Sequence, residues 1–344
     1  MTAPATRTIA AASLALALQV EIACAPRHSA PSLPAALTAD EFWRLSTEFS
    51  EPAGQFTHSE NLVSNEELFA HTVHLLRPRG GAFIGVGPEQ NFSYIARLEP
   101  AMAFIVDIRA ENRHLHLLYK ALFEMSSTRA EFVARLFSRE IVSSRSVRAS
   151  ADDLFAAVAA ASASNLLRDS TAHLVRQQLI GLHRLPLSTS DLGSIDRILG
   201  AFYLDGPQIH YGRSLAASPA GPSYRTLMTA KDARGVGRSY LASEKEFAFV
   251  KALQARNLIV PVIGDFSGSH ALKAIGQYVR RAGSKISGFY GSNVQVYLNK
   301  QQMATFCGNL ATLPSDARSS FIGSNGLQLL SVRSASCVPT NTPR

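Results

Sequence analysis

GGAFIGVGPEQNFSYIARLEPAMAFIVDIRAEN, residues 80–112, is the stretch that decides the fold. Residues 82–86 are a short apolar run of the kind that forms a strand buried on both faces. Gly85 and Gly87 flank Val86 where such a strand must turn and let a ligand approach bare backbone. Residues 102–106 form a second apolar run, closed by Asp107 and Ile108. The step from Gly85 to Asp107 is about one β-α-β unit. At that spacing a carboxylate accepts hydrogen bonds from ribose hydroxyls. The expected class is α/β, a doubly wound sheet, and the expected ligand is a small molecule resembling a nucleotide.

The chemistry of the turn narrows that ligand. A dinucleotide site wants a third glycine, because pyrophosphate rests on bare backbone at the helix start. Here that position is Gln90, Pro88 and Glu89 crowd the turn, and the Glu89 carboxylate is expected to repel a phosphate. A cofactor with a ribose and no phosphate at the turn fits better, and S-adenosylmethionine is the common one. Gly85-Val86-Gly87 and the acidic Asp107 resemble the first two motifs of class I S-adenosylmethionine-dependent methyltransferases. The resemblance implies a Rossmann-like sheet of the methyltransferase type, with Val86 and Ile108 beside the cofactor. Phe83 departs from the pattern, since the family carries an acidic residue there, and the third glycine is missing. A longer resemblance runs from about residue 40 to about residue 325. NLVSNE, GVGPEQNFSYIA, LLYKALFEMS, RSYLASEKEF, NLIVPVIGDFSG and GFYGSNVQVYL are similar to an uncharacterised bacterial family that itself looks like methyltransferases. That resemblance implies the fold and names no reaction.

The α/β pattern breaks after residue 125 and resumes at residue 258. Between them, residues 126–240 read as a mostly helical insertion covering the cofactor edge, with an irregular Gly/Pro-rich stretch at 203–238. Residues 258–263 and 286–290 are two further buried strands, the first ending at Gly264-Asp265 and the second at Gly291-Ser292-Asn293. Ligands of open parallel sheets bind beyond the carboxyl ends of the strands. Gly87, Asp107, Asp265 and Asn293 should therefore share one edge. The resemblance implies that Asp265 accepts from an adenine amino group; the plain alternative is a turn or helix-capping aspartate. Asn293 could orient a substrate, but a strand-end Asn is also a normal turn former. His210, beside Tyr211 in the Gly/Pro-rich stretch, is the candidate general base for an acceptor hydroxyl or amine, and Tyr290 is the second.

Helix starts are marked by Ser/Thr paired with an acidic residue three positions on. Thr38 with Glu41, Ser64 with Glu67, Thr128 with Glu131, Ser150 with Asp153 and Ser243 with Glu246 all fit. The Ser64 device, expected to open a helix through Leu76, competes with a reading in which the segment Ser64-Asn65-Glu66 closes over the cofactor and Asn61 or Asn65 faces it. His71 and His74 share a helical face, but no carboxylate joins them at metal-ligand spacing, and His114 and His116 do not share one. Surface or capping roles are expected for these histidines, and no metal site.

At 344 residues, with 46% hydrophobic and 17% charged residues, the chain is globular and long enough for a large core. Its net charge of +8 is spread without a Lys/Arg run, so a nucleic-acid groove is not signalled. G-x-S-x-G and G-x-x-x-x-G-K-[ST] are absent, which argues against an α/β-hydrolase and a P-loop nucleotidase. Arg7 followed by the uncharged residues 9–20 resembles a signal-peptide core, too short to span a bilayer. Residues 1–25 read as a signal or lipoprotein signal, 26–37 as a linker, 38–330 as the folded domain and 331–344 as a tail. Membrane attachment is expected only through a lipid anchor at Cys24. Export conflicts with the cytoplasmic supply of S-adenosylmethionine. Two readings follow: a cytoplasmic methyltransferase-like enzyme, or an exported ligand-binding protein that reuses the sheet without a reaction. Cys307 and Cys337 either pair in an oxidising compartment or remain thiols.

Overall fold

The apolar runs pair side by side in one six-stranded sheet. Its strands are β1 (Ala82–Gly85), β2 (Met102–Asp107), β3 (Ile259–Ile263), β4 (Ile286–Ser292), β5 (Ser320–Gly323) and β6 (Gly326–Leu329). The computed structural model describes residues 1–2, 32–56, 60–140, 149–213, 221–324 and 326–336. The apolar run at 9–20 read as a signal core, Cys24 and Cys337 lie outside them. Strand order is β3-β2-β1-β4-β5-β6. The first five strands run parallel and β6 runs antiparallel to β5. The expected α/β class and Rossmann-like doubly wound order are both present. The sequence reading assigned no strand to β5 or β6.

β1 to β3 are buried along their whole length, and β4 up to its final Ser292. This explains why they read as continuous apolar runs rather than alternating ones. β3 is an edge strand, which lets it carry Pro261 without losing a ladder bond. The edge is covered by the helix Ala39–Glu48, opened by the expected Thr38/Glu41 capping box. Ser46 Oγ donates to the Pro261 carbonyl at 2.5 Å, and Ile263 N–H donates to Ser50 Oγ at 2.8 Å.

The insertion is mostly helical, as expected, and an aromatic cluster fastens it to the sheet layer. Phe92 lies 5.3 Å from Tyr119 and 5.2 Å from Tyr240, and Phe123 lies 4.6 Å from Phe132. Buried Arg129 ties the insertion's two ends together: its guanidinium donates to Glu244 at 3.2 Å and to the Leu241 carbonyl at 2.7 Å. The stretch at 203–238 is less irregular than expected. The helix Thr189–Asp205 runs into it, and Ser223 caps a short helix, Tyr224–Thr229, inside it.

The Ser64/Glu67 cap does not form. The helix starts later, at Phe69–Leu75, with Leu68 at its cap and no capping side chain. Ser64 N–H instead donates to the Glu89 carboxyl, 3.3 Å from each oxygen. A long-range partner displaces the local one. Among the described residues, no helix is long and apolar enough to cross a membrane.

Candidate functional site

Strand order reverses between β1 and β4, and a crevice opens there beyond the carboxyl ends of the strands. It holds a cavity of about 330 Å³. Val86 and Gly87 line it from the end of β1, Asp107 and Ile108 from β2, Asp265 from beyond β3, and Tyr290 and Asn293 from β4. These seven residues singled out from sequence share one wall system. Gly85 and His210 do not line it. His210 borders a separate cleft with Asp205, Arg213 and Ser223, while its neighbour Tyr211 reaches the central cavity.

Gly85 has another use. A Cβ there would fall 1.8 Å from Asn91 Oδ1 and 2.8 Å from the Phe83 ring. The missing side chain makes room for Asn91, not for a ligand. Asn91 Nδ2 then reaches the carbonyls of Val86, Gly87 and Pro88 at 2.9, 3.2 and 2.8 Å. His116 Nε2 donates to the Gly87 carbonyl at 2.9 Å. The turn is thus held from behind, with Gly87 at φ +76°, a conformation glycine adopts without strain. His116 and His114 are buried rather than superficial. His114 Nε2 lies 2.8 Å from Asp191. Burial pushes the His116 imidazole down to about 4, so it is neutral at physiological pH.

Glu89 does not repel a phosphate in the way expected. It is fully buried, and desolvation pushes its carboxyl up to about 8, despite the Ser64 amide. Near neutral pH it is mainly an uncharged acid. Glu89, Gln90 and Asn91 are all completely buried and none lines the cavity. The helix start that would cradle a pyrophosphate is closed by packing.

Asp107 is engaged by its neighbour. The Arg109 amide and Nε donate to Oδ1 at 2.9 and 3.0 Å, and Nη2 to Oδ2 at 3.0 Å. Both side chains are nearly buried. A carboxylate has about four acceptor positions, so roughly one remains, on Oδ2. Asp265 is half used, because Ser267 N–H and Oγ both donate to Oδ1, at 2.7 and 2.8 Å. Ser64 lines the cavity with its hydroxyl oxygen buried and lacking a partner.

Glu51, which the sequence reading passed over, holds the Asp265 loop. Its carboxylate accepts from the backbone amides of Asp265, His270 and Ala271 at 2.9, 2.6 and 3.2 Å. It substitutes for a cap on the helix Ala271–Arg281, which has none of its own. Glu51→Ala is expected to lower stability by about 2–3 kcal/mol in urea denaturation, as charge-assisted bonds at a helix start are lost. An unchanged midpoint would remove that role.

Among the described residues, no group of three or more His, Cys, Asp or Glu side chains is placed to hold a metal ion. Cys307 is disulfide-bonded. No curated protein matches the sequence. Over residues 61–177 and 215–331 the sequence does match a family, and these two stretches contain all six strands. His210 and Tyr211 fall between them. With well over half its length matched, the chain belongs to the family described as Domain of unknown function (DUF7790).

Proposed function

We propose that the chain is a methyltransferase-like protein that binds S-adenosylmethionine in the switch-point cavity and acts on a small acceptor. The reading is carried by the cavity itself. It joins a bare-backbone turn at Gly87 to an acidic strand end at Asp107 and stops short of the buried helix start. That combination suits a nucleoside and leaves no place for a pyrophosphate. The residues fit the cofactor at three points. Asp107 Oδ2 has one acceptor position for a ribose hydroxyl, Asp265 Oδ2 has room for an adenine amino group, and the unpartnered Ser64 hydroxyl supplies a further polar contact. The bound cofactor would supply an electrophilic methyl group. Val86 and Ile108 provide apolar wall, and Asn293 orients what lies against the end of β4. Catalysis on this reading comes mainly from holding donor and acceptor in line.

The disulfide at Cys307 favours a second reading, an exported ligand-binding protein without a reaction, because disulfides persist in oxidising compartments. One experiment addresses both. S-adenosylhomocysteine at about 100 times its dissociation constant is expected to stabilise the protein by about 2.7 kcal/mol, raising the melting temperature by several degrees. Nicotinamide dinucleotides are expected to leave it unchanged. Stabilisation by a dinucleotide, or by neither ligand, would overturn the nucleoside reading. Binding without methyl transfer across an acceptor panel would favour the exported binder.

A further inference from the structure

Behind the β4 wall of the cavity lies an acidic residue outside the assigned set. Glu66 receives hydrogen bonds from the Ser292 hydroxyl and from Gln90 Nε2, the latter at 3.3 Å, and the Tyr290 hydroxyl also bonds it. Ser292 and Tyr290 both line the cavity; Glu66 does not. Both hydroxyls converge on the one carboxylate. The backbone there is unusual. Register with β5 shifts between Tyr290 and Ser292, and Ser292 sits at φ +47°, a left-handed conformation costly for a residue with a Cβ. Bulges and strained residues of this kind gather at functional sites, where they aim a side chain.

The alternative is a purely structural tie between β4 and the segment before the helix Phe69–Leu75. Glu66 is only half-buried, and a carboxylate drawn partly out of water as a mere tie is generally paired with a cation. Glu66 forms no salt bridge with Lys, Arg or His among the described residues. Its titratable neighbours are Tyr290 on β4 and Tyr94 on the helix Gln90–Leu98, both buried phenols with rings 4.7 Å apart. Desolvation raises the Glu66 carboxyl above the ordinary carboxylate range. Two further aromatics line the cavity, Phe56 and Tyr297, which meet edge to face at 5.1 Å.

We propose that Glu66 is the proton acceptor of the cavity, reached through the Ser292 hydroxyl, and that the acceptor it serves is a small phenol lying against the Phe56, Tyr290 and Tyr297 side. The proposal rests on the methyl-transfer reading for calling that phenol an acceptor, and on the cavity wall for its chemistry. The proton transfer is balanced. The phenol O–H bond breaks and its electron pair stays on oxygen, which becomes the nucleophile. The proton passes to Ser292 Oγ as the serine's own proton passes to a Glu66 carboxylate oxygen. Glu66 ends neutral and the phenol ends as phenolate. Tyr290 offers a parallel route, and Ser292 and Tyr290 are the groups that touch the ligand.

The test needs no methyl donor, so it stands or falls separately from the methyl-transfer reading. 4-Nitrophenol and its fluorinated analogues are coloured only as phenolates. They are titrated with the whole protein about one pH unit below each probe's own midpoint, where roughly a tenth of free probe is ionised. The wild-type protein is expected to bind the probe and raise the ionised fraction severalfold. Glu66→Gln and Ser292→Ala are expected to bind it uncoloured, while Glu66→Asp restores part of the colour. Glutamine keeps the length of the side chain and one acceptor oxygen for the Ser292 hydroxyl, giving up only the longer 3.3 Å bond from Gln90 Nε2, so a merely structural Glu66 would leave the colour unchanged in Glu66→Gln. That result overturns the proposal, as does failure of the wild-type protein to bind any probe of the series.

Discussion

Replacing Glu89 with glutamine is expected to remove most of the loss of stability on passing from neutral to alkaline pH. The Glu89 carboxyl is fully buried and has no cation beside it, which is why it titrates at about 8 instead of its ordinary 4.5. Between those values the native state holds a proton that the unfolded chain has released. Stability therefore falls as pH rises through the window and levels off above about 8. At about 1.4 kcal/mol per pH unit the whole window is worth roughly 5 kcal/mol. His116 acts in the opposite sense. Its imidazole titrates at about 4 instead of 6.5. The unfolded chain binds that proton first, so stability rises with pH between these values. The two trends largely cancel from about 4.5 to 6.5. From 6.5 to 8 Glu89 is left unopposed, and the wild-type protein should lose roughly 2 kcal/mol. Glutamine keeps an acceptor for the Ser64 amide and carries no charge. Its urea midpoint should stay nearly level from pH 6.5 to 8.5 while that of the wild type drops. Parallel pH profiles would show that Glu89 is solvated or otherwise compensated in solution.

What sequence conveyed about the site follows from topology. A parallel sheet with helical crossovers sends every strand out at the same edge. Finding four buried runs was therefore enough to bring Gly87, Asp107, Asp265 and Asn293 together. Contacts set by helix rotation were not legible. Gly85 looked like a ligand glycine because nothing local shows that Asn91, in the first turn of the next helix, fills its space. Ser64 looked like a cap because its acidic partner three residues on was visible, whereas Glu89 was 25 residues away. Glu51 and Glu66 were passed over for the same reason. The amide of Asp265 lies 214 residues from Glu51, and the hydroxyl of Ser292 lies 226 residues from Glu66. Arg109 is different. It follows Asp107 by two positions, close enough for the pair to be legible at the strand end.

Asp107→Ala is expected to destabilise the protein by about 3–5 kcal/mol, lowering its melting temperature by roughly 5–8 °C, before any ligand is added. Truncation removes the acceptor of three hydrogen bonds from Arg109. It leaves the guanidinium nearly buried, with the Glu60 carbonyl, 2.5 Å from Nη1, as its remaining anchor. Uncompensated buried charge is costlier than the intact pair is beneficial, so the partner's removal should repair the damage. In Asp107→Ala/Arg109→Met an apolar side chain of similar reach replaces the stranded cation, and most of the lost stability should return. The double variant is also the right background for ligand binding, since its fold is restored while the carboxylate is gone. Affinity for S-adenosylhomocysteine should fall there by about 1–3 kcal/mol, the cost of hydrogen bonds a ribose can no longer make to Oδ2. If the double variant is as unstable as the single one, the stranded guanidinium is not the cause. If it is stable and binds with wild-type affinity, Asp107 exists to hold Arg109 and the ribose is gripped elsewhere.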